Sequence, residues 1–131
     1  MDKARLRDVP FFSSISKRDL AAVAQQTDEI DVPAGKVLAQ EGDIGQEFFV
    51  IDSGSAEVTR GGEHVADLGP GDFFGEIGLL ERALRTATVT ATSHMRLITL
   101  TGWDMKRMEK AIPEAVEEIR RVLEERRPAA S

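Results

Sequence analysis

Residues 73–89 read FFGEIGLLERALRTATV, and the reading of the whole chain turns on this stretch. A glycine-bearing turn at Gly75 leads into a run too helical in character for a strand. The first turn of such a helix carries unpaired backbone N–H groups. Together with the helix dipole they form a seat for a phosphate. Gly75 and Gly78 have no side chain to obstruct a ligand. From Arg85 the residues alternate strictly: Arg85, Ala87, Val89 and Ala91 fall on one face, and Thr86, Thr88 and Thr90 on the other. The small apolar face is the natural interior, which aims Arg85 inward. A buried guanidinium needs an anion, and one phosphate shared with the helix N–H groups supplies it. Glu76, in the first turn, suits the helix dipole. In a pocket it would also accept a hydrogen bond from a sugar hydroxyl. An Arg85–Glu76 salt bridge explains either residue taken alone; the complete stretch points to a ligand.

Outward from this segment the pattern is β on both sides. The runs 29–32, 36–39, 47–52, 55–60, 63–68, 85–91 and 95–100 are separated by Gly, Pro and Asp turns. Gly61-Gly62 lies between two of them and marks a tight hairpin. Many short strands at this spacing predict a sandwich or jelly-roll barrel. Before residue 28 the chain reads as helical. Ser16 followed by Asp19 resembles a capping box, and Leu20, Val23 and Ala24 recur at helical spacing. Pro10-Phe11-Phe12 is a short apolar connector that packs on a core. After residue 100 a helix carries Trp103, Met105 and Met108, and Pro113 opens another. Val116, Ile119, Val122 and Leu123 form its apolar stripe.

The 131 residues fit one domain, read here as spanning 1–131. It divides into N-terminal helices (1–27), a β-barrel (28–100) holding the segment 74–89, and C-terminal helices (101–127). A net charge of −6 argues against sequence-independent nucleic-acid binding. With no cysteine, the chain has no disulfides, thiolate metal sites or cysteine nucleophile. No run approaches the roughly 18 apolar residues of a membrane helix, and Met1 to Arg5 lead into a charged stretch without a signal-peptide core. A cytoplasmic location is expected. His64 and His94 stand 30 residues apart without a ligand cluster, so no metal site is expected and both are read as exposed. No Ser-His-Asp order, Walker loop or catalytic carboxylate pair occurs, and no enzymatic activity is expected.

The segment 74–80 followed by 85–89 resembles the phosphate-binding cassette of cyclic-nucleotide-binding domains. Such domains occur in regulatory subunits of cAMP-dependent protein kinase, in the catabolite activator protein and in cyclic-nucleotide-gated channels. Upstream, Pro33 to Leu38, Gln40 to Asp43 and Phe48 to Gly54 are similar to the family's first strands and turns. The resemblance covers about residues 9–125. It implies a mainly β fold, an eight-stranded jelly-roll barrel with N-terminal and C-terminal α-helices. It implies that Glu76, with the backbone of Gly75, binds the ribose 2′-hydroxyl and that Arg85 pairs with the cyclic phosphate. The N–H groups of Gly78 and Thr86 add to the phosphate contact. Ile77, Leu79 and Val89 support the cassette, and Ala87 completes the binding set of Gly75, Glu76, Ile77, Gly78, Leu79, Arg85, Thr86 and Ala87. Ala83-Leu84 depart from the small residue or proline that often precedes the cassette arginine. A hydroxyl residue after that arginine often accompanies cGMP binding and also occurs in bacterial cAMP receptors, so Thr86 leaves both cAMP and cGMP open.

The expected function is a cyclic-nucleotide sensor that acts on a protein partner in trans. The alternative is a ligand-free interaction domain that keeps only the fold. Output is expected from the C-terminal helices: the one after Pro113 would leave the barrel at modest cost and fold over the base. Its stripe serves equally as a core face or as a homodimer seam. Trp103 is expected to pack its helix onto the barrel, with a lid over the purine as the other reading. Glu117–Arg121 is expected as an i, i+4 ion pair. The chain is expected to be either a complete small protein or a piece of a larger one.

Overall fold

A computed structural model of the chain describes residues 3–75 and 83–125. Among these residues the helices are α1 (Lys3–Arg7), α2 (Lys17–Gln26), α3 (Gly102–Ala111) and α4 (Pro113–Glu125), with a 3-10 turn at Pro10–Phe12. The strands are β1 (Asp28–Val32), β2 (Val37–Ala39), β3 (Ile44–Gly45), β4 (Glu47–Ser53), β5 (Ala56–Arg60), β6 (Glu63–Leu68), β7 (Phe73–Phe74), β8 (Ala83–Leu84), β9 (Thr88–Ala91) and β10 (Met95–Thr101). Two four-stranded antiparallel sheets form, in the orders β1-β10-β4-β7 and β2-β9-β5-β6. They face each other as the eight-stranded jelly roll expected from the sequence, with helices before and after. A separate two-stranded antiparallel ribbon pairs β3 with β8.

Strands β4, β7 and β10 of the first sheet pack on both faces. Phe49, Ile51, Phe74 and Leu97 point toward the second sheet and meet Val58, Val89 and Ala91 there. Their chain neighbours Phe48, Val50, Phe73, Ile98 and Leu100 point the other way, into a core shared with the helices. The resulting layers are helices, first sheet and second sheet. Phe11 of the 3-10 turn sits 5.3 Å from Phe48 and 5.2 Å from Phe73 between ring centroids. Arg5 fastens α1 to the sheet through Glu29 at 3.0 Å and through Asp52.

Local signals set the helix starts. Ser16 caps α2, its Oγ accepting from the Asp19 amide at 3.3 Å. Thr101 and Asp104 form a full capping box at α3. Gly61 and Gly62, at φ of 60° and 83°, make the two-residue β5–β6 hairpin turn, a conformation open to glycine.

The structure corrects several expectations. The strand expected from Arg85 begins only at Thr88. Arg85 lies between β8 and β9, and its backbone bonds the β2–β3 turn instead: its amide donates to Asp43 at 2.7 Å and its carbonyl accepts from Gly42 at 2.9 Å. Trp103 does not pack on the barrel. It is 64% exposed, with Lys106 Nζ 5.3 Å over its ring, while Met105 and Met108 face the core. Val116, Ile119, Val122 and Leu123 are all buried within the chain against the other helices and the sheet, so they are a core face and not a dimer seam. Removing that helix alone would uncover four large side chains at about 1.5–3 kcal/mol each, which is not a modest cost. Arg121 pairs with Glu118 and, at 2.5 Å, with Glu125, while Glu117 pairs with Arg120 at 3.2 Å.

Candidate functional site

Beside the β3-β8 ribbon, three backbone positions, at Gly45, Glu47 and Gly75, converge on the Arg85 side chain. The Arg85 guanidinium donates through Nη2 to the Glu47 carbonyl at 2.6 Å. It lies in a slot between two glycines. A β-carbon at Gly45 would stand 1.8 Å from Nε and 2.1 Å from Cζ. One at Gly75 would stand 2.6 Å from Nη1 and 2.7 Å from the Glu47 carbonyl. Gly75 also has φ of +82°, a conformation that L side chains rarely adopt. Slot and carbonyl together fix the plane of the guanidinium. A fork held this way presents its donors in a set direction, the arrangement that recognises phosphate or carboxylate oxygens.

The segment that carries Arg85 is fastened from three sides. Asp43 and Gly42 hold its backbone. Arg60, at the end of β5, donates from Nε to the Thr86 carbonyl at 3.1 Å. Thr88 Oγ1 accepts from the Glu41 amide at 3.0 Å, and the Glu41 carboxylate accepts from the Gly61 amide at 2.9 Å. The Thr86 side chain is exposed, whereas that of Ala87 is buried in the core between the sheets. Only the backbone of Ala87 is therefore placed to face a ligand at this site.

Of the binding residues read from the sequence, the fold brings Gly75, Arg85, Thr86 and Ala87 to this site. Glu76, Ile77, Gly78 and Leu79 lie outside the described residues. Sequence reasoning missed Gly45 and the Glu47 carbonyl. Gly45 had a usable signal, since glycine inside a strand marks a close approach by another group. A main-chain carbonyl has none.

His64 and His94 are exposed, as read from the sequence. Asp67 lies 2.9 Å from His64 Nε2, and its hydrogen bond and charge raise the imidazole pKa. Arg121 and Ser14 hydrogen bonds lower the carboxyl of Glu118. Among the described residues no group of three His, Cys, Asp or Glu could hold a metal ion, and no helix is long and apolar enough to cross a membrane.

Comparison with known proteins identifies the family of the chain. Residues 29–110 match the cyclic nucleotide-binding domain. The cAMP-dependent protein kinase regulatory subunit of Schizosaccharomyces pombe is 37% identical over 95 residues, 72% of this chain and 23% of that protein. A cyclic nucleotide-gated potassium channel of Rhizobium etli is 34% identical over 119 residues, 91% of this chain and 33% of the channel. The chain thus spans about a quarter to a third of the length of these relatives. The structure of the Thermus thermophilus catabolite activator protein superposes with a TM-score of 0.75 at 27% identity, covering 89% of this chain and 57% of that one. With this match over most of its length and a jelly roll flanked by helices, the chain belongs to the cyclic-nucleotide-binding domain family.

Proposed function

We propose that the chain acts as a single regulatory domain, in the cytoplasm, that binds one cyclic nucleotide, cAMP or cGMP, and passes the event to a protein partner. The observation that carries this reading is the Arg85 slot between Gly45 and Gly75, with the guanidinium anchored on Glu47. An arginine oriented before the ligand arrives loses less freedom on binding, which favours affinity. In this reading Arg85 holds the cyclic phosphate with the N–H groups of Gly78 and Thr86. Glu76 and the Gly75 backbone take the ribose 2′-hydroxyl, and Ile77, Leu79 and Ala87 complete the binding segment. The relatives named above support the ligand class through what they are.

The same reading assigns the output to α3 and α4. Because α4 shares one core with α2, α3 and the first sheet, the proposed motion carries the helices together rather than peeling α4 alone. Binding without turnover is the proposed activity, so nucleotide incubated with the protein is expected back intact.

Calorimetric titration of the chain with cAMP, cGMP and a cyclic dinucleotide tests the reading. One mononucleotide per chain is expected. No heat from either mononucleotide at about millimolar concentration, well above the Kd range of a specific site, would leave the ligand-free interaction domain as the surviving account.

A further inference from the structure

Arg60 ends β5, whose alternation buries Ala56 and Val58 between the sheets and turns Glu57 and Thr59 outward. By position Arg60 belongs to the inward set. It stands where the strand runs out at the same end of the sandwich as Arg85, and its side chain is exposed there. Val58 pairs with Val89 and Thr59 with Thr88, so Arg60 reaches across toward the segment between Arg85 and β9. Its Nε is committed to the Thr86 carbonyl at 3.1 Å. Its terminal nitrogens, Nη1 and Nη2, make no hydrogen bond or ion pair with a described residue. The neighbouring carboxylate of Glu41 is turned to the Gly61 amide instead. The side chain is therefore oriented by one nitrogen while the others stay available beside the residue that follows the phosphate arginine.

A guanidinium donates and never accepts. Along one edge guanine presents O6 and N7, two adjacent acceptors that a guanidinium fork matches. Adenine replaces O6 with the N6 amino donor beside N7, which opposes the same fork. A cyclic nucleotide seated with its phosphate on Arg85 brings its purine within a nucleoside's length of that point. We propose that Arg60 is a specificity-determining residue whose terminal nitrogens donate to the O6/N7 edge of the purine and bias the site toward cGMP. This rests on the reading that Arg85 seats a cyclic phosphate.

The test is calorimetric titration of the full chain, as wild type, Arg60→Met, Arg60→Gln and Arg85→Leu, with cGMP, cAMP and inosine 3′,5′-cyclic monophosphate. The inosine nucleotide keeps O6 and N7 but lacks the 2-amino group, which separates Arg60 from any contact of Thr86 with that group. Wild type is expected to bind the cGMP and inosine ligands roughly 10-fold tighter than cAMP, the scale of one bidentate base contact. Arg60→Met is expected to remove most of that preference by weakening those two, with cAMP changed less than about 2-fold, a marginal energy on the same scale. Arg60→Gln, with one amide donor, is expected to fall between. Equal losses for all three ligands would overturn the proposal, because Arg60 would then act only through the Thr86 carbonyl or as a general charge. So would an unchanged Arg60→Met or a wild type without base preference. If Arg85→Leu abolishes binding while Arg60→Met changes nothing, the purine contact fails and the phosphate seat stands. If wild type binds none of the ligands, both fail.

Discussion

Gly45 and Arg85 form one unit. A methyl group at Gly45 would lie inside the guanidinium, whereas one at Gly35 would meet nothing within 4 Å. Gly45→Ala is expected to expel Arg85 from its slot and to weaken nucleotide binding about as much as Arg85→Leu. The loss of a charge-assisted hydrogen bond places that at roughly 10- to 100-fold. Gly35→Ala, strained by its φ of +90° but remote from the guanidinium, is expected to cost stability and leave affinity unchanged. Titration of both variants, with circular dichroism as the fold control, decides the matter. Normal affinity in Gly45→Ala would mean that the slot has no role. His64 allows a separate test. Its pKa is raised, first by the hydrogen bond it donates to Asp67 and then by that carboxylate's charge. The pair therefore adds stability below the unfolded value of about pH 6.5 and loses it as pH rises through the raised folded value. Asp67→Asn is expected to lower the melting midpoint at about pH 5.5 and not at about pH 9, on either side of that window; an equal effect at both would remove the linkage. Arg85 was picked out from a strand alternation that the fold does not keep there: it precedes β9 and is only half-buried, so the inward strand face read from the sequence is not what positions it. The Gly45 slot, the Glu47 carbonyl and the bond from Arg60 to the Thr86 carbonyl were not read, because each depends on which backbone segments the fold brings together.

At the scale of elements, the boundaries with a local chemical cause were the ones the sequence showed. The Ser16 cap, the Gly61-Gly62 turn and Pro113 at the start of α4 each act within a few residues. The two-residue strands β3, β7 and β8 carry no period of their own, and their pairing partners are distant in sequence. Helix α4 shows how far a pattern reaches. The stripe Val116, Ile119, Val122 and Leu123 was visible at helical spacing, but whether it faced a partner, a ligand or the core was not. The structure buries it, with Arg18–Glu114 adding a surface link between α2 and α4 at 3.2 Å. Ile119→Ala is therefore expected to cost about 2–5 kcal/mol in urea denaturation, as for a buried isoleucine truncated in a packed core. Amide exchange in α4 is expected to track that of α2, since both draw on the same core. Fast exchange across 113–125 beside a protected α2 would show that α4 opens by itself, and the motion proposed for the helices would then shrink to that one element.

The whole molecule is organised by a sheet that serves two cores. In β4, Phe48 and Val50 face the helices while Phe49 and Ile51 face the second sheet; in β10, Ile98 and Leu100 oppose Leu97 in the same way. Phe73 and Phe74 divide likewise, one among the aromatic rings under Phe11 and the other stacked on Phe49 at 4.8 Å. The apolar run 48–51, and the run 97–100 broken only by Thr99, carried the sign of strands covered on both faces. The third layer was not read from them, because a run alone does not name what covers each face. Since the same strands supply both cores, neither has a boundary along which it could melt alone. Unfolding is expected to be a single transition, with calorimetric and van't Hoff enthalpies equal. Leu20→Ala, in the helical core, and Leu97→Ala, between the sheets, are each expected to cost about 2–5 kcal/mol and so to lower that one midpoint, with the urea slope unchanged. Nucleotide at about 100 times its Kd is expected to raise the same transition by roughly 2.7 kcal/mol in wild type and in both variants, since it binds the folded state alone. A biphasic curve, in which Leu20→Ala melts the helices ahead of an intact sandwich, would mean that the helical layer is a separate unit. Ligand stabilisation confined to the later phase would then show that the nucleotide grips the sandwich without engaging the helices.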